Sequence, residues 1–504
     1  MQTTMHQSYW RETASPPVRY WPLKQDLETD VVIVGAGITG LTAALHLKNA
    51  GRRVVVLEGN DVGAGTTGFT TAHCDMTTDR PLQQLIDSFG ELVARDVVAA
   101  SRSAIDEIEA LCNHFGDCDF ARVPSYQYTE STQQPDWIRE QYEAGLKLQL
   151  PVSTTDVVPL PFYAPHAVRT EGQGRFHSQR YLQRLAAEIH GDGCYVFENT
   201  RAQPPEQGEP CVVTTNGGTL RAKEVFLATH SPFLRISQWD LRVAAYQSYV
   251  IGVRVEDDLP DALFWDDAEP YHYIRRASSQ DPSLLLIGGA DHKTGQGSDE
   301  RDHYQQLEDY ASERFKIKEV EYRWSGEFFE PVDGLPYVGR VPSANHLYLA
   351  TGYAGTGMTL GTVAGKLVTD LILERENALA EPLAPGRLTI AASAGAFVSE
   401  NLNAAYHFVA DRFSGEAIDS LGEVAPNTGR LVTIEGQQRA VYRDVSGGLH
   451  VLSPTCTHAG CIVQWNDAEK TWDCPCHGGR FTAQGKVMYG PPPRDLEPAE
   501  IKKL

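Results

Sequence analysis

The chain has 504 residues and a formal net charge of −22, and no basic block interrupts its acidic balance, which argues against a nucleic-acid partner. Hydrophobic residues make up 41 %, and no apolar run reaches the roughly 18 residues that a transmembrane helix needs. The length suits about two or three domains.

The first residues, MQTTMHQSYWRET, lack a basic stretch followed by an apolar one and do not read as a secretory signal. Cys74, Cys112, Cys118, Cys194 and Cys211 are scattered singly, unlike an extracellular disulfide framework. These features point to a cytoplasmic protein.

Residues 30–58 predict strand, glycine-rich turn, helix and second strand in order. The turn is Gly35-Ala36-Gly37-Ile38-Thr39-Gly40, and the second strand ends in Glu58. Gly35 allows the tight turn, Gly37 lets a pyrophosphate approach the helix N-terminus, and Gly40 allows close helix–strand packing. Glu58 stands where an acid accepts hydrogen bonds from ribose hydroxyls. This fingerprint alone does not separate NAD from FAD. Residues 63–73, GAGTTGFTTAH, add a loop of small and hydroxyl residues. Its backbone and Thr66, Thr67 and Thr71 can wrap a second phosphate and a flavin edge.

Residues 81–147 carry helical periodicity, with Leu82, Leu85, Ile86 and Phe89, then Ile105, Ile108 and Leu111. Residues 190–230 read as a hairpin followed by a returning strand. Residues 242–300 alternate as strands between polar turns. The turn in 284–295 lacks the spacing of a second dinucleotide fingerprint, which argues against a pyridine-nucleotide reductase. Residues 326–372 give a short strand (347–350), a turn with Gly352, Gly355 and Gly357, and a helix from about Thr359.

In this order the segments resemble the D-amino-acid oxidase, glycine oxidase and sarcosine oxidase superfamily over about residues 28–375. The resemblance implies FAD, held non-covalently because the segment just before Pro331-Val332-Asp333-Gly334 has no Cys. It places Ala202 at the adenine, and Gly355, Gly357, Met358 and Thr359 at the flavin ring. A helix dipole at that turn would stabilise a reduced, anionic ring. A cap would cover the ring, with the substrate site between the cap and the 352–359 turn. Tyr246, His272, Tyr273, Arg275, Lys293, Tyr353 and His73 are candidate lining groups, and Arg275 or Arg276 a candidate carboxylate clamp.

Pro382, Pro385, Gly386 and an Ala/Ser run mark a boundary within 376–395. A helix over 399–413 follows, with Leu402, Ala405, Tyr406 and Val409 on one side. Short alternating strands begin near residue 423. Cys456 and His458 then lie two residues apart, and Cys474 and His477 three apart. Two thiolates and two imidazoles in this alternation are what a Rieske 2Fe–2S cluster needs. The alternative, a Cys2His2 zinc site, usually pairs Cys with Cys and His with His.

Residues 445–495, with CTHAGC, CPCHGG and the Gly490-Pro491-Pro492-Pro493 loop, resemble the Rieske subunits of quinol-oxidising complexes. The resemblance implies a Cys461–Cys476 disulfide beside the cluster, with two thiols as the alternative in a reducing compartment. In those subunits a Ser and a Tyr donate hydrogen bonds to cluster sulfurs. Gly479 and Phe481 stand here instead, which predicts a lower potential.

The expected fold is an α/β, Rossmann-like FAD-binding domain of glutathione-reductase type (1–80, 150–240 and 326–380) with an α+β cap (81–149 and 241–325). A linker and helix (381–422) lead to a small all-β Rieske domain (423–504). Together the two centres would convert a two-electron donor to one-electron output. The expected activity is an FAD-dependent dehydrogenase that oxidises an amine, amino acid or related small donor. A protein or quinone-like acceptor would take electrons one at a time, with His458 or His477 exposed at the cluster tip as the exit. The alternatives are an O2-using flavin oxidase with a regulatory cluster, and a non-catalytic electron-carrier or redox-sensing module.

Overall fold

The computed structural model describes residues 7–499 except 15–17, 232, 235–238, 240, 297–300, 343, 388–389, 414–415, 418–420 and 435. The expected C-terminal residues 500–504 and the side chain of Val409 lie outside the described residues.

Strand Leu27–Val34 is central to a seven-stranded sheet because Val31, Val32, Ile33 and Val34 are buried on both faces. Such a continuous apolar run suits a parallel strand covered on both sides. It pairs in parallel with Val54–Leu57 and with Thr219–Leu227. Tyr195–Phe197 extends one edge, and Leu347–Thr351 followed by Tyr337–Arg340 extends the other. Helix Ile38–Asn49 leaves the central strand and packs against helix Gly357–Ile372. The two glycine-rich turns expected at the flavin are thereby brought to one sheet edge.

A nine-stranded sheet forms the cap. Its order is Ile317–Pro331, Val243–Val255, Leu284–Lys293, Tyr273–Arg276, Leu263–Trp265, Ala121–Thr129, His166–Arg175 and His73–Cys74, with Val152–Thr155 on His166–Arg175. Alternate residues Tyr249, Ile251, Val253 and Val255 are buried with Leu307 and Ala311 of helix Arg301–Arg314. Three boundaries therefore shift from the sequence reading, the first because His73–Cys74, expected in the nucleotide-binding segment 1–80, pairs in the cap sheet. Residues 152–175 pair in the cap sheet rather than with the nucleotide-binding strands, and the cap sheet runs on to Pro331. The helical pattern of 81–147 is also broken by strand Ala121–Thr129 between helices Glu91–Phe115 and Asp136–Lys147.

The linker helix is longer than expected, Ile390–Ala410, because its Ala-rich start favours helix. Leu402 and Tyr406, expected on a packing face, are 66 % and 65 % exposed. The side that touches the protein is polar: Glu400 pairs with Lys293 at 2.7 Å, and Asn403 bonds Gln296 at 2.6 Å. Hydrophobic periodicity pointed to the wrong face because this contact is made of ion pairs and amides. The C-terminal domain consists of two four-stranded sheets, one built on Thr428–Ile434 and Gln437–Arg443, the other on Gln464–Asn466 through Val487–Tyr489.

Candidate flavin cavity and cluster loops

A cavity of about 460 Å³ runs from the first glycine turn to the cap. Gly35, at the end of the central strand, has φ +110°, and a Cβ there would lie 2.5 Å from the Ala228 carbonyl oxygen. The next residue, Ala36, donates its N–H to Glu58 Oε2 at 3.0 Å, and Asn60 N–H bonds Glu58 Oε1 at 2.9 Å. The acid is thus held in place at the cavity edge, with its pKa raised by burial. No side chain caps helix Ile38–Asn49 or helix Gly357–Ile372. Two uncapped helix N-termini, whose first residues line one elongated cavity, offer backbone N–H groups to a pyrophosphate and to an electron-rich ring. The donor set fits FAD.

Of the residues expected at FAD, Gly35, Gly37, Ile38, Thr39, Glu58, Thr66, Thr67, Thr71, Ala202, Gly355, Gly357 and Met358 line the cavity. Three do not. Ala36 acts through Glu58. Gly40 serves packing, since a Cβ there would stand 2.0 Å from the Gly35 carbonyl oxygen. Thr359 is fully buried behind the wall. Thr67 Oγ1 accepts the Ile38 N–H at 3.3 Å, which ties the second loop to the first helix.

The second centre is built from two turns. Cys456 N–H bonds Cys461 O at 2.8 Å and Gly460 N–H bonds Cys456 O at 3.0 Å. Cys474 N–H bonds Gly479 O at 2.8 Å and Gly478 N–H bonds Cys474 O at 3.1 Å. These turns bring the rings of His458 and His477 to 5.1 Å between centroids, nearly perpendicular at 84°. The Cys456 and Cys474 thiols lie within hydrogen-bond reach, which holds Cys474 below its ordinary range. Backbone N–H groups of Cys476 and His477 act in the same direction. Cys461 and Cys476 form the expected disulfide, with Cα atoms 6.5 Å apart. The sulfurs of Cys461, Cys474 and Cys476 also cluster within 4.8 Å, but two of them are joined to each other, so of these three only Cys474 is a free thiol available to hold iron. Cys456, His458, Cys474 and His477 fit a 2Fe–2S group.

A family profile described as FAD dependent oxidoreductase matches residues 30–371. The chain belongs to the FAD-dependent oxidoreductase family. A profile described as Rieske 2Fe-2S domain matches residues 417–500 of the same oxidoreductase, so its cofactors are FAD and a 2Fe–2S cluster. The oxidoreductase is 32 % identical over 499 residues to a Bacillus subtilis (strain 168) protein provisionally named Rieske 2Fe-2S iron-sulfur protein YhfW, across 98 % of both chains. It is 26 % identical over 386 residues to the gamma-glutamylputrescine oxidoreductase of Escherichia coli (strain K12), across 72 % of this chain and 88 % of that one. Its fold is similar to glycine oxidase from Geobacillus kaustophilus, with a TM-score of 0.59 at 21 % identity over 72 % of this chain and 99 % of that one.

In this oxidoreductase the Rieske domain forms part of the flavin cavity. Val487, Met488, Tyr489, Gly490, Pro492 and Pro493 all line it. Arg201, which the sequence reading passed over beside Ala202, donates to Val487 O at 3.1 Å. The ligand loop 474–478 is docked on the cap. Gly478 has φ +68°, and a Cβ there would stand 2.4 Å from Ala245 Cβ and 2.5 Å from Glu327 Oε1. Gln296 Nε2 donates to Pro475 O at 2.9 Å. His458 and His477 are both half-buried rather than exposed at a tip, and the loop that carries His477 is pressed against the flavoprotein. Glu327, also unforeseen, is buried between cavity and loop, with Arg480 and the Thr294 hydroxyl as its favourable neighbours. Burial pushes it up to about 8, against the pull of Arg480.

At the cap end the family member departs from the expected lining. Tyr273, Tyr353 and His73 line the cavity, whereas Tyr246, His272, Arg275 and Lys293 do not. Lys293 and Tyr246 face Glu400 of the linker helix, and His272 Nδ1 bonds Asp266 at 2.8 Å while stacking on Tyr310. Arg275 is 1 % exposed and donates to four backbone carbonyls, those of Thr71, Ala72, Arg276 and Ala277. Arg276 pairs with Asp258 at 3.0 Å. Neither is a carboxylate clamp. Asp75, Asp79 and Asp291 line the cavity instead. The signal for the first two was an alternation of acids in CDMTTD, directly after the flavin loop.

Proposed function

We propose that this oxidoreductase is a dehydrogenase: a small amine, amino acid or related donor is oxidised at the cap end of the flavin cavity, and the electrons leave singly through the cluster to an external protein or quinone-like acceptor. One observation carries this reading. Pro492 is part of the flavin-cavity wall, and its ring packs on Gly479, whose Cβ position lies 3.4 Å from Cys456 Sγ. A cluster-ligand sulfur thus stands one residue behind the wall of the cavity.

FAD supplies a two-electron acceptor and the 2Fe–2S cluster a one-electron carrier. The chain's part is position, enclosure and charge. The cap sheet closes the cavity over the 352–358 turn, and the uncapped N-terminus of helix Gly357–Ile372 favours negative charge there. Thr39 donates to the Tyr353 hydroxyl at 3.1 Å and fixes that ring at the first turn. For an amine donor, loss of two electrons and two protons gives a C=N bond, water hydrolyses it, and two equivalents of one-electron acceptor balance the reaction. The five cysteines outside the Rieske domain are buried thiols, which supports a cytoplasmic location. Among the described residues no helix is long and apolar enough to cross a membrane.

The test is anaerobic mixing of the protein with a panel of amines and amino acids, with flavin bleaching and the EPR signal of the reduced cluster followed together. The expected result is a donor that bleaches the flavin first and develops the cluster signal second. Flavin bleaching with O2 uptake and no cluster signal would favour the oxidase reading instead.

A further inference from the structure

Resting on the donor-oxidation reading above, we propose that the donor is a cationic amine without a carboxylate on the carbon that bears nitrogen, and that Asp75, Asp79 and Asp291 hold its positive charge. The first argument is charge. Arg201 is the only Lys or Arg among the described residues lining the cavity, and it lies beside Gly59 and Glu58 at the nucleotide end. Among the described residues that line the cap end, carboxylates occur without any Lys or Arg, and Arg275 behind the wall is held by backbone carbonyls. An α-amino acid would bring its carboxylate among them with no counter-ion, a repulsion that desolvation strengthens.

The second argument is unmet hydrogen bonding. Asp75 is only 5 % exposed; its Oδ1 accepts the Thr77 N–H at 2.7 Å and the Thr77 hydroxyl at 2.5 Å, while its buried Oδ2 has no partner among the described residues. Asp291 Oδ1 is likewise buried and without a partner. A carboxylate oxygen removed from water without a donor is costly, and an ammonium group supplies up to three donors. His73 Nε2 is also buried at this end, with no close partner among the described residues beyond the nearby Ile274 backbone. Burial and the Arg275 charge depress His73 to about 3, so its ring adds no competing positive charge.

The third argument is the wall itself. Trp265 and Tyr273 contribute rings to the cavity, with centroids 6.5 and 5.7 Å from that of His73. Aromatic faces next to carboxylates suit an ammonium and its alkyl carbons. Arg275, whose guanidinium lies against the Thr71–Ala72 backbone, is engaged by four carbonyl oxygens and cannot turn to a substrate carboxylate without breaking them.

The experiment uses the complete protein with both cofactors. Matched pairs are mixed anaerobically, 1,4-diaminobutane against ornithine and ethylamine against alanine, and flavin bleaching is timed. Separately, tetramethylammonium, which cannot be oxidised by this route, is titrated while the absorption spectrum of the oxidised flavin is recorded. The expected result is faster bleaching by the amine of each pair. A saturable spectral shift by tetramethylammonium should weaken about tenfold or more in Asp291→Asn and in Asp75→Asn, as loss of a charged contact implies. Each variant checks the other if one folds poorly. Faster bleaching by the amino acid would overturn this inference and leave donor oxidation standing. No bleaching by either class, with the tetramethylammonium shift intact and lost in the variants, would support the cation site and overturn donor oxidation. No spectral shift in the unmodified protein would overturn the cation site.

Discussion

The hydroxyl of Tyr489 in the Rieske domain hydrogen-bonds the hydroxyl of Thr66 in the flavin loop. Thr66 Oγ1 also lies 2.9 Å from Glu327 O and 3.0 Å from His230 Nδ1, so one threonine ties the flavin loop, the cap and the Rieske domain together. Burial pushes the Tyr489 hydroxyl well above its ordinary range, which keeps it protonated. Replacing Tyr489 by Phe removes one buried hydrogen bond, about 1 kcal/mol. Because Tyr489 is part of the cavity wall, FAD affinity is expected to fall about fivefold. A fluorescence titration of released FAD measures it, and unchanged affinity would mean the seam does not support the flavin.

The potential of the cluster offers a second prediction. Phe481 is fully buried in the core around Cys456 and Cys474, and it cannot donate a hydrogen bond. Phe481→Tyr is expected to raise the midpoint potential in a redox titration, because an added donor stabilises the more negative reduced state. Gly479→Ser is a different case. A Cβ at Gly479 would stand 2.5 Å from Pro492 Cγ, so a side chain must push the Pro loop off the flavin cavity. That variant should loosen FAD as well as alter the cluster, and a variant that keeps FAD affinity intact would show that the loop yields at little cost.

The Cys461–Cys476 bridge closes a loop of 15 residues across the two ligand turns. In the chain-entropy account such a loop contributes about 3 kcal/mol. Cys461→Ser should lower the temperature at which the cluster absorption bleaches by several degrees, while the flavoprotein melt moves less. Equal shifts of both melts would show that the two units unfold as one.

Much of this was legible in the chain because the chemistry is local. The Gly35–Gly40 turn, its flanking strands and Glu58 lie within one stretch of about thirty residues. Each cluster turn carries its own Cys and His. What sequence could not show depends on contacts between distant segments. The Val487–Pro493 stretch reads as an ordinary strand and proline loop, and only docking makes it a wall of the flavin cavity. Arg275 looked like a substrate clamp because an Arg in a cap strand is ambiguous until its partners are known. Those partners are backbone carbonyls, which leave no trace in side-chain patterns. Leu402 and Tyr406 misled for the opposite reason: the apolar stripe was real, but the packed face was held by Lys293–Glu400 and Gln296–Asn403.

The acids of the cap end give a pH prediction whose sign can be worked out. Asp79 is exposed to the cavity, and desolvation by the surrounding protein, aided by Asp75, pushes it up to about 6 against a hydrogen bond from Gly355 N–H. Desolvation also pushes Asp291 up to about 7, with Asp79, Glu330 and Glu269 adding and Ser248 opposing. Tyr271 and Tyr273 are raised and stay neutral, so the carboxylates set the charge here. Folding therefore favours the protonated acids. Their contribution to stability is fully present below the ordinary carboxylate range and is lost as pH rises through about 6 to 7. A permanent cation such as tetramethylammonium binds only their ionised forms well, so its affinity should rise over the same interval and level off near pH 8. By linkage its stabilising effect should be larger at pH 8 than at pH 5. Thermal melts with and without the cation at both pH values measure this, and a larger gain at pH 5 would remove the carboxylates from the site.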